Sequence, residues 1–240
     1  MKKSLRTLNS LLGGAVSIYA SLDLGKPPKL RSTSFLDFAR RFYHLTHIGL
    51  LMSLVTFGLG LLSSAIEGRG RSQRGGRVLK EIYLHMLAIT VATESFIPIV
   101  FWVLWAIDKG NVVDVENYVG QDSVSFFFNL CMHGIPTLFL LVEFFISDFQ
   151  KSNRHYFLLF VFFSIYMMIM FEFNRTTGEW PYLIISKFQK YHRAAFLFGC
   201  FLFLCFLYGF LAFIHQHISR AEAVKKRGPK KAVRRARKRA

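Results

Sequence analysis

The chain has 240 residues, 52% of them hydrophobic and 16% aromatic, with a formal net charge of +17. Its mean hydropathy is +0.34, and its 27 phenylalanines are spread over several segments, which excludes a soluble globule built around one core. Three cysteines (Cys131, Cys200, Cys205) lie in apolar runs without a CxxC pair or zinc-finger spacing, so neither a disulfide framework nor a metal or cofactor site is expected.

Crossing the hydrocarbon takes about 20 mostly apolar residues. On that ruler the sequence predicts an all-α, polytopic bundle of six transmembrane helices, at 8–24, 44–65, 82–107, 124–147, 156–173 and 195–217. Residues 1–219 form the membrane domain, and 220–240 form a basic, disordered tail. The first segment follows a basic start (Lys2, Lys3, Arg6) and could be read as a signal peptide; the absence of an A-x-A site favours a retained helix. The second opens on Tyr43-His44-Leu45-Thr46-His47 and places a hydroxyl, Thr46, at its start. Between the second and third helices runs the glycine-rich, cationic stretch 67–77. It lacks the Gly-Lys-Ser/Thr ending of a phosphate-binding loop and is expected near anionic headgroups. Glu94 falls near the middle of the third helix. The acidic loop 108–123 follows, carrying Asp108, Asp114, Glu116 and Asp122.

The fourth helix holds Asn129 and His133, one turn apart and therefore on one face, with Pro136 as a predicted break and Glu143 toward the far end. An ionisable residue inside a span is costly and looks to the bundle interior or a wet cavity. Asn174-Arg175-Thr176 is a glycosylation sequon abutting the end of the fifth helix. The tail, from Lys225-Lys226-Arg227 to Ala240, has no interleaved aromatics. It reads as membrane-apposed rather than as a nucleic-acid binder. Its ending, Arg237-Lys238-Arg239-Ala240, is similar to the dibasic retrieval signals of endoplasmic-reticulum membrane proteins.

Lys and Arg divide 21 to ten between the two sets of alternating loops and ends, with the N-terminus and the tail on the richer side. By the positive-inside rule both termini are expected in the cytoplasm.

For the polar residues two readings stand. Threonines in membrane helices commonly back-bond to their own carbonyls, and a buried histidine or glutamate often serves only packing. Alternatively, Thr46 and His133 are a nucleophile and its base. Their depths differ by several ångströms at about 1.5 Å per residue, which helix tilt or the Pro136 break can absorb.

The stretch Phe101-Trp102 with Asp108, then Asn129-Leu130-Cys131-Met132-His133 and Glu143, resembles the androgen-induced and androgen-dependent TFPI-regulating protein family, whose members show F-W-x5-D followed by N-H-x-M-H. Leu45-Thr46 and Thr177-Gly178-x-Trp180 match as well, so the likeness runs through nearly the whole chain in helix order. The family is similar to six-helix intramembrane hydrolases that cleave fatty acid esters of hydroxy fatty acids with a threonine nucleophile and a histidine. Carried over, the nucleophile is Thr46 and the base His133. Three departures stand out: Leu130 replaces the first His of the motif, Pro136 comes three rather than five residues after the histidine, and Trp180-Pro181-Tyr182 inverts the usual W-x-Y-P order.

The chemistry asks for this pairing. A threonine hydroxyl needs a base within hydrogen-bonding reach, and a neutral imidazole can take its proton and return it to the leaving alcohol. Asn129 could orient the imidazole or donate to the oxyanion. Two other classes remain open. One is a non-catalytic scaffold or regulator recruiting partners or anionic lipids through the basic loop and tail. The other is a transporter using His133, Glu94 and Glu143, although no internal repeat supports it.

Overall fold

The protein is described from a computed structural model covering residues 2–27, 31, 34–67, 74–111 and 124–237, with side chains not described at the ends of several of these stretches. Residues 68–73 of the glycine-rich stretch, most of the acidic loop and the last three residues lie outside the described residues. The helices are α1 (Lys2–Ser21), α2 (Phe35–Arg40), α3 (Leu45–Glu67), α4 (Arg74–Ile107), α5 (Phe126–His133), α6 (Ile135–Ile146), α7 (Asn153–Thr177), α8 (Leu183–Ser186) and α9 (Lys190–Arg237). Short 3-10 turns at Arg41–Tyr43 and Lys109–Asn111 connect them, and no strand occurs among the described residues. The fold is an all-α polytopic bundle.

Five segments are long and apolar enough to cross a membrane: Leu45–Ile66, Gly75–Ile107, Phe126–Ile146, Asn153–Thr177 and Lys190–Ala221. These match the second to sixth expected helices. The expected first helix is present as α1, but Ser4, Arg6, Thr7, Asn9 and Ser10 dilute its apolar content, and by composition it is not among the five. At the other end, α9 continues beyond residue 219 to Arg237. The backbone is therefore helical through most of a tail expected to be disordered.

Helix α4 is the central element, packed on α3, α6 and α9, whereas α7 and α9 turn Phe157, Phe160, Met168, Phe198, Phe206 and Phe213 outward. Outward phenylalanines suit a lipid solvent, where burying apolar surface no longer drives helices together and packing and polar contacts must do so. The core joins Phe57, Tyr83, Leu87, Leu140, Phe144, Leu159 and Tyr208. Gly13 lets α1 approach α3 so closely that a Cβ there would overlap the Phe57 ring.

One polar cluster fastens α1 to the bundle. Glu143 of α6, fully buried, pairs with Arg6 Nε at 3.2 Å and accepts hydrogen bonds from Tyr83, Asn9 (3.2 Å) and Ser10 (3.4 Å). Three of the polar residues that keep α1 from reading as a span, Arg6, Asn9 and Ser10, are thus the ones that hold it in place. At the far end of α1, buried Asp23 adopts a left-handed backbone (φ 53°), a conformation Asp tolerates better than most residues. It forms ion pairs with Lys26 (3.2 Å) and Arg41, which anchors the segment leading into α3.

Candidate active site

The site lies where the N-terminus of α3 meets the break between α5 and α6. The first amides of a helix have no partner within it, and here the Leu45 N–H donates to the Tyr182 hydroxyl at 2.8 Å. The Tyr166 hydroxyl braces that tyrosine at 3.4 Å and also donates to the Tyr43 carbonyl at 3.3 Å. The His44 ring stands edge-on to Tyr182, with centroids 5.6 Å apart. Burial, reinforced by the charge of Lys26, holds the His44 imidazole below its ordinary pKa, and burial raises that of Tyr182. Both are neutral near pH 7. Thr46, second residue of α3, is therefore held by a clasp of tyrosines.

His133 is the last residue of α5. The helix stops at Gly134 and resumes at Ile135, with Pro136, which has no N–H to continue the ladder, in the first turn of α6. The expected break at Pro136 thus falls at Gly134. The Trp102 indole N–H donates to the His133 carbonyl at 3.3 Å, and the Phe101 ring stacks on the imidazole at 3.6 Å and 10°. Irregular backbone at membrane depth survives only where protein or a cavity takes up its polar groups. A second interruption lies one turn deeper. Pro98 leaves the Glu94 carbonyl without its helical donor, and the Thr137 hydroxyl donates to it instead.

Between these elements Thr46 Oγ1 and His133 Nδ1 lie 3.4 Å apart, both residues buried at 7% exposure. This is the long end of hydrogen-bond reach, and catalytic contacts in unliganded sites are often loose. Thr46 also lines a cavity of about 100 Å³ walled by Phe96, Val100, Phe101, Phe162, Met170 and Leu204. His133 stands behind Phe101 and reaches that space through Thr46. Asn129 is buried one turn before His133 but is not among the lining residues, so a shared cavity with the pair is not found.

Glu94 and Glu143 prove different in kind. Glu143 is paired as described. Both carboxylate oxygens of Glu94 are buried without a hydrogen-bond partner among the described residues. The neighbouring Ser53 hydroxyl donates to the Gly49 carbonyl at 2.9 Å, and a Cβ on Gly49 would come within 2.5 Å of Glu94 Oε1.

Sequence reasoning missed the roles of Phe101, Trp102 and Tyr182. Phe101 and Trp102 belong to a matched motif stretch and Tyr182 to the Trp180-Pro181-Tyr182 stretch that departs from the usual order, so the signal was present without its meaning. Asp108, the last residue of the F-W-x5-D pattern, accepts from the Gly110 N–H at 3.0 Å and from Lys187 at 3.2 Å, tying the end of α4 to the α8 region. Trp180 lies under the Arg193 guanidinium, 4.5 Å from ring centre.

A multi-pass α-helical membrane protein with a buried hydroxyl–imidazole pair beside an apolar cavity is the class these features define. The family model described as FAR-17a/AIG1-like protein matches residues 6–216, and the chain belongs to that family. Membership is compatible with hydrolase activity. Comparisons with curated proteins and with solved structures returned no match.

Proposed function

We propose that the protein is an intramembrane lipid ester hydrolase that cleaves fatty acid esters of hydroxy fatty acids, with Thr46 as nucleophile and His133 as general base. The observation carrying this reading is the 3.4 Å approach of Thr46 Oγ1 to His133 Nδ1, with Thr46 in the wall of an apolar cavity. In the mechanism, Nδ1 takes the hydroxyl proton as Oγ1 attacks the ester carbonyl, and the imidazolium returns it to the departing hydroxy fatty acid. Water then attacks the acyl-threonine, giving its proton to His133, which passes it to Thr46 Oγ1 as the acyl bond breaks. This use of Nδ1 requires the tautomer with the proton on Nε2. Stacking on Phe101 and the Trp102 bond to the backbone fix the ring's position, so the base meets the hydroxyl with little reorganisation.

Both termini in the cytoplasm, α1 as a sixth membrane helix, residence in the endoplasmic reticulum, and apposition of the basic loop and tail to anionic headgroups complete the proposal. The test is an activity-based hydrolase probe applied in membranes. It should label the wild type and spare Thr46→Ala at equal expression; equal labelling of both would overturn the assignment.

A further inference from the structure

The cavity beside Thr46 has about 100 Å³ of room, well short of the roughly 300–1,000 Å³ of pockets that enclose a drug-sized ligand. An ester with two long chains cannot fit within it. A second space adjoins it: a groove of about 370 Å³ between α4 and α9, sharing Phe96, Val100, Leu104, Phe196 and Cys200 with the cavity wall. The groove follows two matching helical faces. On α4 these are Phe96, Ile99, Val100, Val103 and Leu104; on α9 they are Phe196, Gly199, Cys200 and Phe203, each series stepping by three and four residues along one side of a helix. Ile99 and Val103 are 42% and 52% exposed, so the outer lip of the groove faces the bilayer, while Leu204 and Ile97 behind it are buried. Phe96 and Phe203, with centroids 5.9 Å apart, form one edge of the opening. At the other edge Gly199 leaves it wide, since a Cβ there would meet no atom within 4 Å.

We propose that this groove is a lateral portal through which one acyl chain of a lipid ester passes from the bilayer core to Thr46, the second chain remaining in the membrane. The inference rests on the hydrolase reading and names how its substrate arrives. The occupant is an acyl chain because the groove is walled by apolar side chains, has an exposed apolar lip, and adjoins the cavity that Thr46 lines across the shared side chains of Phe96, Val100, Leu104, Phe196 and Cys200, which would have to move aside for the chain to pass. It lies at the end of α4 and the start of α9, the same end of the bundle as the start of α3. An ester carbonyl brought to Thr46 would therefore travel along the membrane and not across it.

The decisive variant is Gly199→Trp, which places an indole in the opening where the chain leaves space. Two readouts separate the portal from the chemistry. In vesicles, a fatty acid ester carrying a diazirine near its acyl terminus should photolabel the buried cavity residues Met170 and Ile185 in Thr46→Ala protein, and labelling should fall at least tenfold when Gly199→Trp is added. In catalytic protein, the ratio of long-chain ester turnover to turnover of water-soluble 4-nitrophenyl acetate should also fall at least tenfold in Gly199→Trp. Undiminished labelling of Met170 and Ile185 in Gly199→Trp would overturn the portal whatever the turnover. Labelling that depends on Gly199 without any turnover would keep the portal and reject the hydrolase.

Discussion

Glu143 is surrounded by Arg6, Tyr83, Asn9 and Ser10, with its charge paired and its oxygens engaged. Toward the other end Glu94 is as deeply buried and lies against Gly49, with the Ser53 hydroxyl as its polar neighbour and no well-formed hydrogen bond to either oxygen among the described residues. The Thr46–His133 pair lies at that second, less saturated end, next to the cavity. A buried polar group in a membrane helix is thus not by itself a sign of chemistry. Saturation marks a fastening, whereas the hydroxyl of Thr46, turned to a single imidazole in the wall of a cavity, marks a place where another molecule can be met.

That contrast makes ranked predictions. The largest effect belongs to the catalytic pair. Thr46→Ala and His133→Ala should each reduce ester hydrolysis to background, and the double variant should be no worse than either, because each residue acts only through the other. Additive losses in the double variant, read as turnover in purified protein, would mean that the two do not form one unit.

Next comes the fastening. Removing one member of a buried ion pair strands the other, at a cost of about 3–5 kcal/mol. Glu143→Ala should accordingly lower the thermal midpoint in detergent by many degrees, with the surviving folded fraction still reacting with the hydrolase probe. By contrast, Glu94→Gln should hold the wild-type midpoint to within a few degrees, since no ion pair to Glu94 is found among the described residues and the swap strands no opposite charge. Equal destabilisation by the two would erase the distinction between saturated and unsaturated carboxylates.

A smaller effect should follow from Tyr182→Phe, which removes the acceptor for the Leu45 N–H at the start of α3. A lost hydrogen bond of this kind is worth about 1 kcal/mol. The expected result is a several-fold drop in kcat with little change in KM, seen in steady-state kinetics, because the clasp sets the position of Thr46 and not the grip on the acyl chain.

The smallest effect concerns pH. Since the folded pKa of His44 is depressed by burial and Lys26, the unfolded chain binds the extra proton first, and folding stability drops as pH falls below the ordinary histidine value of about 6.5. His44→Phe should therefore show a shallower loss of thermal midpoint between pH 7 and pH 5 than the wild type; a parallel loss would remove His44 from the account.

The helix order and the five apolar spans were legible in the sequence because length and hydropathy register them directly. The pairing of Thr46 with His133 could be proposed because hydroxyl and imidazole are rare enough in apolar runs to stand out. Phe101 could not be singled out in the same way. With 27 phenylalanines in the chain, nothing local distinguishes one that stacks on the base from one that faces lipid. The membership of α1 in the bundle was obscured for the opposite reason. Its polar residues lower the hydropathy that sequence reading relies on, while their partners, Glu143 and Tyr83, lie more than seventy positions away. The saturation of Glu143 and the isolation of Glu94 depend likewise on contacts between helices that no local pattern encodes.

The hydroxyl of Thr137, donated to the carbonyl that Pro98 leaves open, ties the fates of two distant positions together. Replacing Pro98 with alanine would return an amide to that carbonyl and make the threonine's bond redundant, whereas replacing Thr137 with valine while Pro98 remains would strand a carbonyl in the hydrocarbon. Among homologous sequences the two positions should therefore co-vary, with Thr137 free to drift only where Pro98 is absent. In the laboratory the Thr137→Val change should be tolerated on a Pro98→Ala background and damaging alone, a case of one mutation licensing another across a helix interface.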